Sequence, residues 1–338
     1  MKRIKLGFAN IQVDFIDREL ALKLIEDWAD KGTFPVQVVY GPEGCGKSAW
    51  LKQSIELLKE LGFNVIYVNP LNKEVLAEFN IIDLRDRFLN LIGEALAQNT
   101  LGRLAWLAFD TAKELIKVTK GKIAIIIDDA FQVIGVRESA LYVKALLNLI
   151  EYPPSEYERI VTIVATSEGL SRWEIGRHNW ADLAPIWNMS REGFKQLYDQ
   201  IPGNKPTFEE AWKLTGGNPR MLEDLYEANW RINMVIERLV SRKGLNSLIM
   251  SLSSIEKAWL WEAIEDPDSL FTRERMNLVN KLVELNLVIN DIPDRKTYLW
   301  VDEPPPERDA ELGIGRYIAW QSPIHKEAVR RALEEAKP

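Results

Sequence analysis

Residues 36–50 read VQVVYGPEGCGKSAW. An apolar-leaning run enters a loop containing Gly41, Gly44 and Gly46, and leaves it through Lys47 and Ser48 into KSAWLKQSIELLKELG, which has helical spacing and ends at Gly62. A buried strand that stops in a loop nearly bare of side chains needs a reason. Gly41, Gly46, Lys47 and Ser48 satisfy G-x-x-x-x-G-K-[ST]. Glycines let the backbone turn with positive φ and bring successive N–H groups close to an anion. The helix that starts at Lys47 directs its own unpaired N–H groups and dipole at the same point. Lys47 is then expected to neutralise β- and γ-phosphates, and Ser48 to ligate Mg²⁺. The loop is bare because backbone must touch the phosphates. A chance match in a glycine-containing loop does not account for its position between strand and helix. Within the loop, Cys45 reads as a small side chain facing away from the phosphates; the alternative is a redox thiol sensitised by the helix N-terminus.

The second half of such a site is acidic. KIAIIIDDA (122–130) is a continuous apolar strand, covered on both faces, that ends in Asp128 and Asp129. Asp128 is expected to hold Mg²⁺, and Asp129 to orient and deprotonate the attacking water. Adjacent aspartates can also merely end a strand and cap a helix. The five apolar residues before them put both at the carboxyl edge of the sheet, where α/β ligands bind.

Three further strands are predicted at FNVIYVNP (63–70), RIVTIVATS (159–167) and LAPIWNMS (183–190), with helices at 17–31 (N-cap Asp17), 81–98, 103–119 and 137–151. Alternating strands and helices imply a three-layer α/β domain around a parallel five-stranded sheet, residues 1–190. Residues 191–242 read as all-helical, broken at IPGNKP and TGGNPR. Residues 243–338 give two or three helices, then short strands at LVIND, TYLWV and YIAWQS and a last helix, the order of a winged-helix module.

With these motifs placed, the chain resembles AAA+-type P-loop ATPases of the ASCE class, and more closely the archaeal STAND ATPases, relatives of the Orc and Cdc6 replication initiators. FIDREL (15–20), with Asp17 and Arg18, is similar to the element that packs near adenine and ribose. TIVATS is similar to the sensor-1 strand, with Thr166 or Ser167 as its polar tip. EIGRHNW carries Arg177, in the place of an arginine finger. TGGNPRML is similar to the lid motif, with Pro219 and Arg220 at sensor 2. The resemblance implies an ATPase core, a helical lid and a C-terminal winged helix. It also implies ATP or ADP with Mg²⁺ held along Gly41, Pro42, Glu43, Gly44, Cys45, Gly46, Lys47, Ser48 and Ala49, and catalysis by Lys47, Asp129, Ser167, Arg177 and Arg220. Two departures stand out: the family often has glutamate where this chain has Asp129, and the sensor-1 tip lacks its preceding glycine. Arg172, Arg177 and Arg191 also read as ordinary surface or ion-paired residues. Adenine over guanine comes with the resemblance; the chain also lacks an N/T-K-x-D element.

Bulk properties narrow the partners. Among 338 residues, 43 basic and 50 acidic side chains leave a net charge of −7, so no global nucleic-acid footprint exists. Within 243–338 the balance is 13 basic to 17 acidic. Arg273 and Arg275, at the start of the expected recognition helix, and Arg295 and Lys296, at the expected wing tip, are where duplex DNA would be contacted. Acidic neighbours offset them, and a winged helix serving protein contact is the competing reading. One cysteine, no apolar run near bilayer length and no signal-peptide pattern predict a cytoplasmic protein without a membrane partner. His178 and His325 have no ligand array around them, so no metal site is expected there. The leading expectation is an ATP-hydrolysing molecular switch coupled to winged-helix, protein-partner or self-association contacts. The alternatives are a DNA-binding ATPase of replication, repair or mobile elements, and a regulator that holds nucleotide with negligible turnover.

Overall fold

The computed structural model describes residues 2–167 and 169–336. The chain begins with an antiparallel hairpin, β1 (Lys5–Phe8) and β2 (Ile11–Asp14), and helix α1 (Glu19–Lys31). β3 (Val36–Tyr40) leads through the glycine loop into α2 (Lys47–Glu60). Next come β4 (Asn64–Asn69), β5 (Glu74–Glu78), α3 (Ile82–Ala97) and α4 (Leu101–Thr119). They are followed by β6 (Lys122–Asp128), the single turn α5 (Phe131–Ile134), α6 (Val136–Glu151), β7 (Arg159–Thr166), α7 (Gly169–Gly176) and β8 (Ala181–Pro185). Helices then dominate: α8 (Arg191–Gln200), α9 (Phe208–Thr215), α10 (Pro219–Glu227), α11 (Ile232–Arg242), α12 (Leu245–Ser251), α13 (Ser254–Glu265) and α14 (Met276–Glu284). A short strand pair, β9 (Val288–Ile289) and β10 (Ala319–Trp320), precedes α15 (Pro323–Glu335). No helix among the described residues is long and apolar enough to cross a membrane.

Two compact units divide the chain. The first holds residues 1–4, 19–40 and 47–185; the second holds 5–18, 41–46 and 186–338. In the first, a six-stranded sheet runs in the order β5-β4-β6-β7-β3-β8. Five strands are parallel, as the alternation of strand and helix predicts, because each return must cross the sheet through a helix. The sixth, β5, was not foreseen. It folds back antiparallel on β4 as a half-buried edge, and its Glu74 and Glu78 pair with Lys52 and Lys59 of α2 at 2.8 and 3.3 Å. At the centre, Ile123, Ile125, Ile126 and Ile127 are fully buried, since α2 and α4 both pack on β6. Each isoleucine buried this way is worth about 1.5–3 kcal/mol.

Two expectations are corrected here. The last parallel strand lies at 181–185 and not 183–190; its partner β3 ends at Tyr40, opposite Pro185, so beyond that point no neighbouring backbone remains to pair. Asp17 does not cap α1. Its φ is +64°, and its carboxylate accepts from the Ser190 backbone N–H and hydroxyl, both at 3.1 Å.

In the second unit one apolar core runs from Met221 and Leu225 on α10 to Val329 and Leu333 on α15. Another joins Phe8 and Val13 of the first hairpin to Phe194, Leu197 and Leu222. The strand expected at TYLWV is absent. Thr297–Leu299 forms a 3₁₀ turn, and β9 pairs with β10 instead. The intervening loop is drawn together by Arg295, which donates to the carbonyls of Pro293 and Gly315 at 2.8 Å. That side chain therefore braces the loop and is not held out toward a partner.

His325 lies 2% exposed in this unit, its Nδ1 2.8 Å from the Ser322 hydroxyl. Burial, reinforced by the Lys243 charge, pushes its imidazole down to about 3. The unfolded chain takes up a proton near pH 6.5 that the folded chain refuses, so stability falls as pH falls through this window. The slope from this group is about 1.4 kcal/mol per pH unit. Urea unfolding from about pH 7 to about pH 5 is expected to show a steeper loss for wild type than for His325→Gln; equal slopes would contradict the assignment.

Candidate functional site

In the first unit, the carboxyl ends of β4, β6 and β7 place polar side chains side by side, because each buried strand stops there and its terminal residues turn polar. Asp128, fully buried, ends β6. Its Oδ2 accepts from the Tyr67 hydroxyl at 3.0 Å and from Asn69 Nδ2 at 2.9 Å, both on β4. Burial, then the neighbouring Asp129 charge, push the Asp128 carboxyl up to about 6, against hydrogen bonding from Ser48, Asn69 and Tyr67. Burial, then the same carboxylate, drive Tyr67 upward, so its hydroxyl stays a donor. Asp128 Oδ1 is buried with no hydrogen-bond partner. A buried carboxylate oxygen left unpaired is costly.

Asp129 follows with φ +47°, fixed by its own N–H on the Ala165 carbonyl at 2.9 Å. Its Oδ1 accepts from both the N–H and the hydroxyl of Ser167, at 3.2 and 3.3 Å. Of the two sensor-1 candidates, Thr166 is buried within β7 and Ser167 meets Asp129. Lys47 opens α2 and is 4% exposed, with Ser48 and Ala49 in the same first turn. Arg172 stacks over the Tyr40 ring at 4.7 Å. Arg177, just beyond α7, is 70% exposed and paired with Glu174 at 2.8 Å.

The second unit carries the loop from Gly41 to Gly46. Gly44 has φ +77°, and a Cβ there would lie 2.3 Å from Cβ of Arg220; a Cβ on Gly41 would lie 2.0 Å from the Ile186 carbonyl oxygen. Both approaches require glycine. Cys45 is fully buried, so the redox reading has no accessible thiol. Glu43 is exposed and pairs with Lys243 at 2.7 Å, while its N–H donates to the Gln321 side chain at 2.6 Å. Pro219 opens α10 after Asn218, which caps that helix through the Met221 N–H at 3.1 Å. Arg220 reaches Asp224 at 3.1 Å and Glu223 at 3.1 Å, and its backbone N–H donates to the Gly44 carbonyl at 3.3 Å. Arg18 is 3% exposed and gives its donors to the Cys45 and Trp187 carbonyls, at 2.6 and 2.8 Å, and to Asp302 at 3.0 Å.

Tyr67, Asn69, Asn218, Asp302 and Gln321 escaped the motif reading. Asn69 left a trace, a polar residue ending an apolar strand; Asp302 and Gln321 left none, since their roles depend on long-range folding. Of the four cations expected to face DNA, two are consumed internally. Arg275 pairs with Glu262 at 2.6 Å and stacks over Trp259 at 5.3 Å, and Arg295 holds loop carbonyls. Arg273 and Lys296 remain on the surface.

The chain belongs to the family of ATPase domains found predominantly in Archaea: that family's sequence model matches residues 15–225. The match starts at Phe15 and takes in the glycine loop, both aspartates and the Asn218–Arg220 turn. No curated protein sequence matches the chain. Distant likenesses among solved structures include the Aeropyrum pernix ORC2 protein, in ADPNP–ADP complexes, at 14% identity and TM-score 0.44 over 93% of this chain and 94% of that one. The A. pernix ORC1 protein, in complex with DNA, is 16% identical with TM-score 0.41 over 95% and 93%. Cdc6p from Pyrobaculum aerophilum is 14% identical with TM-score 0.40 over 94% and 93%.

Gly44→Ala places a side chain at positive φ against the Arg220 side chain, at an expected cost of about 1–3 kcal/mol. Urea denaturation measures it; an unchanged midpoint would show the loop to be less constrained than its contacts indicate.

Proposed function

We propose that this chain is an ATP-dependent molecular switch of the AAA+/STAND kind, with an ATPase core (1–190), a helical lid (191–242) and a winged helix (243–338). The observation that carries the reading is a buried, half-unpaired Asp128 ending β6, separated by β7 alone from β3, the strand whose sequence runs on into G-x-x-x-x-G-K-S with Lys47 and Ser48 opening α2. Such a loop receives phosphates on its backbone and Lys47. Ser48 and Asp128 suit Mg²⁺: a hydroxyl and a carboxylate with a spare oxygen are hard donors. Held by these two residues, the ion would supply positive charge against the phosphates.

Asp129, oriented by Ser167, takes the proton of the attacking water. Arg220, whose backbone already touches the loop at Gly44, is the candidate sensor of the terminal phosphate. Arg177, exposed beyond α7, is suited to serve a neighbouring copy. The contacts of Glu43 with Lys243 and Gln321 give nucleotide state a route to the C-terminal helices. The DNA reading is weakened by the internal use of Arg275 and Arg295, so a protein partner or self-association is the preferred output.

Steady-state ATP hydrolysis by wild type, Lys47→Ala and Asp129→Ala, with and without duplex DNA, tests this. Turnover is expected to fall on the order of 10²–10⁴-fold in Asp129→Ala, with ATP still bound, and to vanish in Lys47→Ala through lost binding. DNA is expected to leave the rate unchanged. Equal rates in all three proteins would overturn the assignment of the site, and strong stimulation by DNA would reinstate the DNA-binding ATPase.

A further inference from the structure

The backbone of the glycine loop is gripped from outside its own motif. The Glu43 carbonyl accepts from Asn218 Nδ2 at 3.0 Å, and the Cys45 carbonyl accepts from Arg18 at 2.6 Å. A trans peptide is planar, with C=O and N–H pointing opposite ways. Holding these two carbonyls therefore turns the N–H groups of Gly44 and Gly46 in the opposite direction. The carbonyl between them, on Gly44, is held by the Arg220 N–H, and the Cys45 N–H closes a turn onto Pro42 at 3.2 Å. The loop thus alternates peptides whose N–H is aimed outward with one whose N–H is spent inside.

We propose that Arg18, braced by Asp302, and Asn218 are positioning residues that preset the Gly44 and Gly46 N–H groups for the phosphates of a nucleoside diphosphate or triphosphate. The proposal deepens the nucleotide reading above and rests on it. Arg18 approaches through two consecutive left-handed residues, itself at φ +70° and Asp17 at +64°, and Asp17 is anchored on Ser190. Two such residues in succession cost free energy and persist only where surrounding contacts impose them. Asp302 lies 284 positions away from Arg18 and is 5% exposed. A buried ion pair contributes little net stability, and apolar side chains of similar volume often replace one without loss. What an apolar pair cannot supply is the hydrogen bond to Cys45. Asn218 divides its groups likewise: its oxygen caps α10, and its amide nitrogen reaches Glu43 and the Asn188 side chain at 3.0 and 2.9 Å.

The test is titration with fluorescent ADP of wild type, Lys47→Ala, the double variant Arg18→Met/Asp302→Leu, and Asn218→Ser, each also melted without nucleotide. Serine still caps α10 but is too short to reach the Glu43 carbonyl. Both positioning variants are expected to bind ADP about tenfold more weakly or worse, the scale of one lost hydrogen bond to a charged group. Their melting temperatures are expected to stay within about 4 °C of wild type. Wild-type affinity in both folded variants would overturn the proposal. If the double variant melts early, the Asn218→Ser titration decides. ADP binding absent from wild type itself would overturn the nucleotide reading and the proposal together, whereas binding that is lost only in Lys47→Ala overturns the proposal alone.

Discussion

A loop that binds phosphate through its backbone must solve a problem of peptide geometry. Each N–H aimed at the anion carries a carbonyl aimed away, and every such carbonyl needs a donor behind the loop. In this chain those donors come from far along the sequence. Arg18 holds Cys45, Asn218 holds Glu43, and the Arg220 N–H holds Gly44. The glycine motif permits the loop's conformation, and these three groups select it.

Residues 41–46 group with the second unit, although they lie within the βα turn that makes the motif recognisable. Buried polar groups there are arranged in pairs that finish one another's hydrogen bonds: Arg18 with Asp302, Asp17 with Ser190, Asn218 with Asn188. On the strand side, Asp128 is deliberately incomplete. Tyr67 and Asn69 satisfy one oxygen and leave the other unpaired. Behind the loop, in the second unit, the polar groups are completed; at the strand end, in the first, one carboxylate oxygen is not.

Much of this could be read from the chain before folding. Continuous apolar strands announced the parallel sheet, since burial on both faces removes alternation, and Lys47, Ser48, Asp128 and Asp129 sit in local patterns on which the proposed chemistry rests. What stayed hidden was of two kinds. β5 is a half-buried edge flanked by glutamates, so its pattern is diluted by ion pairing with α2. Asp302 and Gln321 act through contacts across hundreds of residues, for which one sequence offers no local signal. The internal partners of Arg275 and Arg295 were hidden for a related reason: a basic residue reads alike whether it faces solvent or braces a loop, and Glu262 and the Gly315 carbonyl cannot be picked out from one sequence.

The claim on which the account turns is the proposal that Lys47, Ser48 and Asp128 receive a magnesium-bound nucleotide. Equilibrium binding of ATP, with Mg²⁺ and then with the metal chelated, in wild type and in Asp128→Ala, tests it most directly. The account predicts one ATP per chain, bound more tightly with Mg²⁺ in wild type, and no such gain in Asp128→Ala. ATP binding that is indifferent to Mg²⁺ in wild type, or equally strengthened by it in Asp128→Ala, would contradict the account.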